Sequence, residues 1–359
     1  MGKIKRLVCC LGLLSAFGLL ALTGSTQLQQ LLAARASAPL QLPLLLLLAI
    51  PASIVTLACA YLIEGTLLGW RNSSLRTLGA TSGSVRLDVL CVALELLSFR
   101  RLGYVLSLGL LYLLETRATR PLTVLPAHLL PSWGIQVGCL LLLGSFISYW
   151  VHRLEHTVPA LWALHKFHHS ADRMSLLTSH RQTEFTRTVE QALATFPLLL
   201  FAIAEPTAPK PGLASALFPL VAIYFVYRAF IRVNQYLCHS ILTTDYGWVG
   251  RWLLVSPRLH RLHHARAAEY HDKNFTFDLV IWDRIFGTYA TCTAAEASAV
   301  PLGLDDNPFN RTSTVKDVLR DYFLTSYVVF WQALKAGVGA WLPVRSAGTR
   351  QVATLPRDI

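Results

Sequence analysis

Apolar runs of membrane-spanning length constrain this sequence most. A helix needs roughly 20 mostly apolar residues to cross about 30 Å of hydrocarbon. Residues 40–63 form the clearest such run, and Pro51 within it predicts a kink rather than an end. Four further runs are interpreted as spans: residues 102–115, 135–151, 191–204 and 213–231. The sequence therefore predicts an all-α, polytopic membrane protein.

Two more apolar segments have alternative interpretations. Residues 7–24 follow three basic residues, which fits either a first span or a cleaved signal peptide. Residues 322–342 are apolar enough to span, but Gln332 and Lys335 fit an interfacial or packed helix equally well. We divide the chain into N-terminal helices over residues 1–134, a histidine-rich domain over 135–290, and a C-terminal extension over 291–359 with a loosely ordered tail.

Composition agrees with a membrane location. The 359 residues are 53% hydrophobic and only 14% charged, which is unusual for a water-soluble globule. The formal charge is +12, but the basic residues form no patch with interleaved aromatic residues. This distribution excludes nucleic acid as the partner and favours anionic lipid headgroups. The seven cysteines show no paired metal spacing, and most lie in apolar runs, so we interpret them as reduced.

Lysine and arginine fall mainly on one side of the predicted spans. With a cytoplasmic N-terminus, the outer loops hold only Arg35, Arg117, Arg120 and Lys210, while the basic residues of 152–190 and 232–290 fall inside. Such residues are retained on the cytoplasmic side of short loops. We therefore expect a multi-pass protein of the bacterial inner membrane or endoplasmic reticulum, with a cytoplasmic histidine-rich helical cap.

Ten of the twelve histidines lie in four places. They are found in "HRLEH", "HKFHH" and "HRLHHARAAEYH" and at His239. Helical positions three or four apart share a face, so each cluster can present several imidazoles in one direction. The clustering predicts metal binding, because imidazole is a good ligand for iron, zinc, copper and nickel. The isolated His128 and His180 are interpreted as hydrogen-bonded core or interface residues.

The number of histidines discriminates between metal sites. A zinc ion takes three or four protein ligands, so nine or ten histidines imply two ions. The sequence lacks the E-x-x-H pattern of carboxylate di-iron bundles, and its scattered cysteines do not suit an iron–sulfur cluster. Two imidazole-rich iron centres that activate dioxygen are the best interpretation.

Residues 145–289 resemble the membrane fatty acid hydroxylase and sterol desaturase superfamily of di-iron oxygenases. The ordered motifs "YWVHRLEH", "LWALHKFHHS", "SLLTSHRQ", "CHSILTTDYG", "SPRLHRLHH" and "DKNFTFDLVIWDRIFGTY" carry the resemblance, which is greatest to the alkylglycerol monooxygenase branch. The resemblance implies nine iron ligands, and His271 or water is an alternative for one coordination position. The implied ligands are His152, His156, His165, His168, His169, His239, His260, His263 and His264.

The resemblance also implies a reaction and supporting residues. Similar proteins use two iron ions, O2 and external electrons to hydroxylate or desaturate a lipid such as a fatty acyl chain, sterol or ether lipid. No nucleotide-binding glycine loop is visible, so the electron donor would be a separate electron-transfer protein or a reduced pterin. Metal-bound histidines normally donate their second ring N–H to an acceptor, and several nearby polar residues could accept it. The candidates are Glu155, Asp172, Glu184, Asp272, Asn274 and Asp283.

Three positions depart from the family pattern, and there are two alternatives to an oxygenase function. Ser145 stands where many relatives carry an aspartate, Ile241 follows His239 and Ser240 where a polar residue is frequent, and Thr183 replaces a histidine found in others. These departures give some support to a non-catalytic lipid-binding or scaffolding relative. A metal transporter fits less well, because its histidines should line a path across the bilayer.

Overall fold

The computed structural model describes mainly residues 54–74, 83–97, 133–183, 213–305 and 326–337. These segments are helical, and their only extended pairings are isolated bridges between Leu254 and Leu279 and between Ala265 and Leu302. The all-α prediction is confirmed for them. The helices are α1 Ile54–Leu68, α2 Gly83–Leu97, α3 Trp133–Thr157, α4 Pro159–His169, α5 Leu213–Cys238, α6 Trp248–Trp252, α7 Pro257–His263, α8 Ile281–Ile285, α9 Ala294–Ala299 and α10 Ser326–Lys335.

Helix α3 joins the apolar part of the chain to the first histidines. Its segment Val137–Thr157 is the one helix in the described part of the chain that is long and apolar enough to cross a bilayer. The expected span at 135–151 lies within α3, but the helix continues unbroken through "HRLEH". His152 and His156 are therefore held on the same rigid rod as the apolar segment.

The other expected spans are seen only in part. The run at 40–63 is described from residue 54 onward, within α1, and the run at 213–231 lies inside α5. The runs at 7–24 and 102–115 lie outside the described residues, as does nearly all of 191–204.

A sharp turn brings the second histidine cluster back onto α3. Val158 is extended and Pro159 occupies the first turn of α4, a position where proline suits a helix because its missing N–H would have no partner there. Helix α4 then packs against α3. Helix α10, from the ambiguous 322–342 segment, packs on α4.

The third histidine cluster begins at a helix that also has proline in its first turn, and this helix is capped by a side chain. The Ser256 hydroxyl accepts a hydrogen bond from the Leu259 N–H, and Pro257 follows at the first helical position of α7. Helix α7 packs against α5, which ends at Cys238 immediately before His239. Four helices thus bring their histidine-bearing ends to one place.

Candidate metal centre

Nine buried histidines form two groups in which the nitrogens that could bind a metal ion lie within 4.8 Å of one another. These are the nine residues that the family resemblance implies as ligands. The five-histidine group contains His152, His156, His165, His169 and His263, and the four-histidine group contains His168, His239, His260 and His264.

The two H-x-x-H-H clusters divide their histidines between the groups. His165 and His169 join the five-histidine group, whereas His168 turns to the other. Residues four apart on a helix lie about 40° apart around its axis, but adjacent residues lie about 100° apart, so one cluster presents two faces. In the cluster "HRLHH", His260 and His264 belong to the four-histidine group, whereas His263 belongs to the five-histidine group. Each cluster therefore contributes to both groups.

The four-histidine group brings its Nε2 atoms to within contact distance of each other. The Nε2 atom of His239 lies 3.1 Å from that of His168 and 2.9 Å from that of His260, and the Nε2 atoms of His260 and His264 are 3.2 Å apart. Ligands about 2.1 Å from one ion are separated by roughly 3.0 to 3.4 Å in octahedral or tetrahedral arrangements. The observed separations fit nitrogens that surround one cation.

Backbone carbonyls fix the tautomers of two rings in this group. The Nδ1 atom of His168 donates to the carbonyl of Arg181 at 3.1 Å, and that of His239 donates to the carbonyl of Gln235 at 2.7 Å. A neutral imidazole that donates from Nδ1 has only a lone pair on Nε2. Two lone pairs consequently face each other between His168 and His239, an arrangement that a cation between them stabilises.

The five-histidine group has the same design. The Nδ1 atom of His152 donates to the carbonyl of Phe275 at 2.5 Å, and that of His263 donates to the carbonyl of Lys273 at 2.8 Å. The Nε2 atom of His152 lies 3.1 Å from that of His165. The Nε2 atom of His169 is buried with no hydrogen-bond partner. A buried polar atom without a partner is costly, so these residues fit a metal ion.

Burial favours the neutral form of five of these rings. It lowers the pKa of His165, His168, His169, His260 and His264 well below the usual value near 6.5, and neighbouring imidazoles lower each pKa further. Neutral imidazole is the form that binds metals. An all-nitrogen donor set suits iron, copper or zinc better than magnesium or calcium.

The two groups adjoin each other. The rings of His169 and His264, one from each group, are stacked with centroids 4.3 Å apart. Two ions held by these groups would be neighbours rather than independent sites.

The expected carboxylate acceptors are only partly realised. A carboxylate oxygen of Glu155 lies 3.2 Å from Nδ1 of His165. Asp283 acts on His152 indirectly, because it accepts a hydrogen bond from the N–H of Phe275, and the carbonyl of Phe275 accepts the Nδ1 proton of His152.

Three other candidates have different surroundings. The side-chain amide of Asn274 donates to the Leu259 and Ala290 carbonyls, Asp172 is exposed, and Glu184 lies outside the described residues. Most acceptors are instead backbone carbonyls, for which a sequence carries no signal.

The histidines outside the nine have other surroundings. His180 is buried, bonds Glu95 through Nδ1 and stacks on Tyr236, as expected for a hydrogen-bonded core residue. Exposed His271 contacts the carbonyl of Arg266 at 3.0 Å and belongs to neither group. His128 lies outside the described residues.

Ser145, a departure from the family pattern, contacts a carboxylate from another element. Its hydroxyl donates to Asp278 Oδ1 at 2.5 Å, and the Tyr227 hydroxyl donates to the other oxygen at 2.9 Å. Asp278 is buried and follows Phe277, whose ring stacks on His152 at 4.1 Å. The carboxylate expected on α3 is thus supplied from the segment after α7.

Comparisons with known proteins agree with the motif resemblance. Residues 137–288 match the fatty acid hydroxylase family model. Human alkylglycerol monooxygenase is 31% identical over 187 residues, which are 52% of this chain and 36% of that protein. The zebrafish alkylglycerol monooxygenase is 34% identical over 142 residues, 40% of this chain and 28% of that protein.

A bacterial protein is also similar to this chain. The ornithine lipid hydroxylase OlsE of Rhizobium tropici is 28% identical over 156 residues, 44% of this chain and 42% of that protein. The matches therefore span about a third of the alkylglycerol monooxygenases and less than half of the ornithine lipid hydroxylase. No solved structure matches the chain significantly. The match over residues 137–288 and the alkylglycerol monooxygenase relatives confirm the resemblance to that superfamily and to its alkylglycerol monooxygenase branch.

Proposed function

We propose that this protein is a membrane-bound di-iron oxygenase that hydroxylates a lipid. The observation that carries the proposal is the pair of adjoining groups of buried, neutral imidazoles whose lone pairs face one another. The five-histidine group would hold one iron ion and the four-histidine group the other. Bound iron would supply the oxidising power for O2-dependent attack on a C–H bond, which no amino-acid side chain can provide.

The protein's own residues would orient the ligands and keep water away. The carbonyls of Phe275, Lys273, Arg181 and Gln235 hold the protons on Nδ1, so that the Nε2 atoms point inward. The Phe277 ring covers one face of His152. Such an apolar wall limits the access of solvent to the site.

The position of the site suits a lipid substrate. His152 and His156 lie at the end of the one described helix that could span a bilayer, so a lipid chain could reach them from the membrane. We propose a multi-pass protein with this site on the cytoplasmic side, where a separate electron-transfer protein or a reduced pterin can deliver electrons. The relatives are named for alkylglycerol and ornithine lipid, and their names favour hydroxylation over desaturation.

Iron content tests the metal site. We expect about two iron atoms per purified chain, and less iron and turnover in His263→Ala and His260→Ala, which remove one ligand from each group. His271→Ala is the matched control, because that ring lies outside both groups. Normal iron content and turnover in both ligand variants would contradict the proposal.

Lipid mass spectrometry tests the reaction. Cells with the gene should contain a lipid that is heavier by one oxygen than a lipid that accumulates in cells without it. A product lighter by two hydrogens would show desaturation instead. Two bound irons without any changed lipid would indicate a non-catalytic relative.

A further inference from the structure

Two short helices expose a group of large apolar side chains. We call this group the apolar patch; its residues are 40% to 62% exposed. Monomeric soluble proteins rarely expose such contiguous surfaces, which mark sites that meet a protein or a membrane. The apolar patch consists of Trp248, Val249, Trp252, Leu253, Ile281 and Ile285.

The two helices are joined into one surface. The N–H of Val280 donates to the carbonyl of Leu253 at 3.0 Å, and the Arg284 guanidinium donates to the carbonyl of Arg251 at 2.6 Å. The guanidinium of Arg284 also lies 4.0 Å from the centre of the Trp252 ring. The apolar patch is therefore fixed in shape, rather than being a set of unrelated side chains.

Contacts with α3 place the apolar patch at the end of the apolar run 135–151. On the inner side of α8, the Trp282 ring lies 5.1 Å from that of Phe146, and the Phe286 ring lies 5.1 Å from that of Trp150. Phe146 and Trp150 belong to the last turns before His152. If α3 crosses a bilayer, the apolar patch lies at the level of the headgroups.

Two arginines adjoin the apolar patch. Arg251 is exposed within α6, and Arg284 adjoins it. The neighbouring carboxylate of Asp245 is bound by Arg258 at 3.1 Å. Tryptophan accompanied by arginine is typical of protein surfaces at the boundary between lipid tails and anionic headgroups.

We propose that the apolar patch is immersed in the headgroup boundary of a bilayer and that Arg251 binds anionic phospholipid there. The patch thereby sets how deeply the histidine groups lie relative to the membrane surface. This inference requires α3 to lie in a bilayer but requires neither iron nor turnover, so it can fail while the proposed function stands.

Photolabelling of the full chain in lipid nanodiscs tests the proposal. The discs contain phosphatidylcholine with phosphatidylglycerol, each in turn carrying a diazirine near its headgroup, and adducts are located by mass spectrometry. We expect adducts on residues 248–253 and 281–285. Labelled α3 with an unlabelled patch would overturn the proposal, as would cross-links from the patch to a second chain in place of lipid.

The arginine is tested separately. Arg251→Ala should lower the phosphatidylglycerol adducts on the patch about fivefold relative to the phosphatidylcholine adducts, the factor expected for one basic residue near an anionic surface. Arg173→Ala is the matched control, because Arg173 is also exposed but lies outside the patch. An equal decrease in the control would reflect overall charge and overturn the assignment of Arg251.

Discussion

Arg181 and Asp88 form a completely buried ion pair behind His168. The guanidinium donates to the Asp88 carboxylate at 2.7 Å, and both side chains are 0% exposed. The carbonyl of the same arginine accepts the Nδ1 proton of His168. A residue of α2, distant in sequence from the histidines, thus fixes the backbone that orients one of them.

Asp88→Asn should destabilise the protein strongly. The substitution leaves a buried guanidinium without a counter-charge, which costs about 3–5 kcal/mol of unfolding free energy. Chemical denaturation in detergent measures the loss. The double variant Asp88→Leu, Arg181→Met should lose less than the single one, because it removes both charges. Equal stability of Asp88→Asn and the natural protein would contradict this role of the ion pair.

The metal-free protein should lose stability as the pH falls below about 6.5. Burial lowers the pKa of five histidines, so the unfolded chain takes up protons that the folded chain excludes. Each such histidine contributes a decrease of up to about 1.4 kcal/mol per pH unit. Thermal unfolding of chelator-treated protein at several pH values measures the slope. An unchanged melting temperature down to about pH 5 would contradict the prediction.

The helices and the clustering of histidines on helix faces could be predicted from the sequence because both depend on local spacing, whereas the set of nine that meets in two groups was implied by the family resemblance. The division of each H-x-x-H-H cluster between two groups also follows from helix geometry, although shared-face reasoning alone placed His165, His168 and His169 together. The contribution of Asp88 could not be predicted, since it depends on how α2 packs against Leu176–His180. The carbonyl acceptors depend on the path of the chain in the same way.

Gly250→Ala should disrupt the packing of α6. A Cβ at this position would lie 1.7 Å from the carbonyl oxygen of Asp245, so the helix or the preceding turn must move. We expect a lower melting temperature and faster proteolysis after Arg251. Gly138→Ala is the control: nothing lies within 4 Å of its Cβ, and alanine favours α3 by about 0.5–1 kcal/mol. Equal melting temperatures of the two variants would contradict the predicted clash.

Asp283→Asn should loosen the segment that orients His152. The buried carboxylate accepts the Phe275 and Thr276 N–H groups at 2.8 and 3.0 Å and the Thr288 hydroxyl at 2.7 Å. An amide has one acceptor oxygen, so buried donors lose their partner at about 1–3 kcal/mol each. Denaturant unfolding measures the loss. Thr288→Val, which removes one donor, should cost less, and the reverse order would contradict this role of Asp283.

Ser145→Asp should destabilise this protein, although many relatives are expected to carry an aspartate at that position. The new carboxylate would face Asp278, which already accepts hydrogen bonds from Ser145 and Tyr227. Two buried like charges repel strongly because little solvent screens them. The decrease in unfolding free energy should exceed that of Ser145→Ala, which only breaks hydrogen bonds with Asp278 and Trp282.

Exchanging the two residues separates charge repulsion from lost packing. The double variant Ser145→Asp, Asp278→Ser again has one carboxylate and one hydroxyl between α3 and the segment after α7, so it should recover stability relative to Ser145→Asp. A double-mutant cycle measures this coupling. Additive losses would show that the carboxylate must come from position 278. Recovery would show that the carboxylate is needed at this junction while the element that supplies it can change, which accounts physically for serine at position 145.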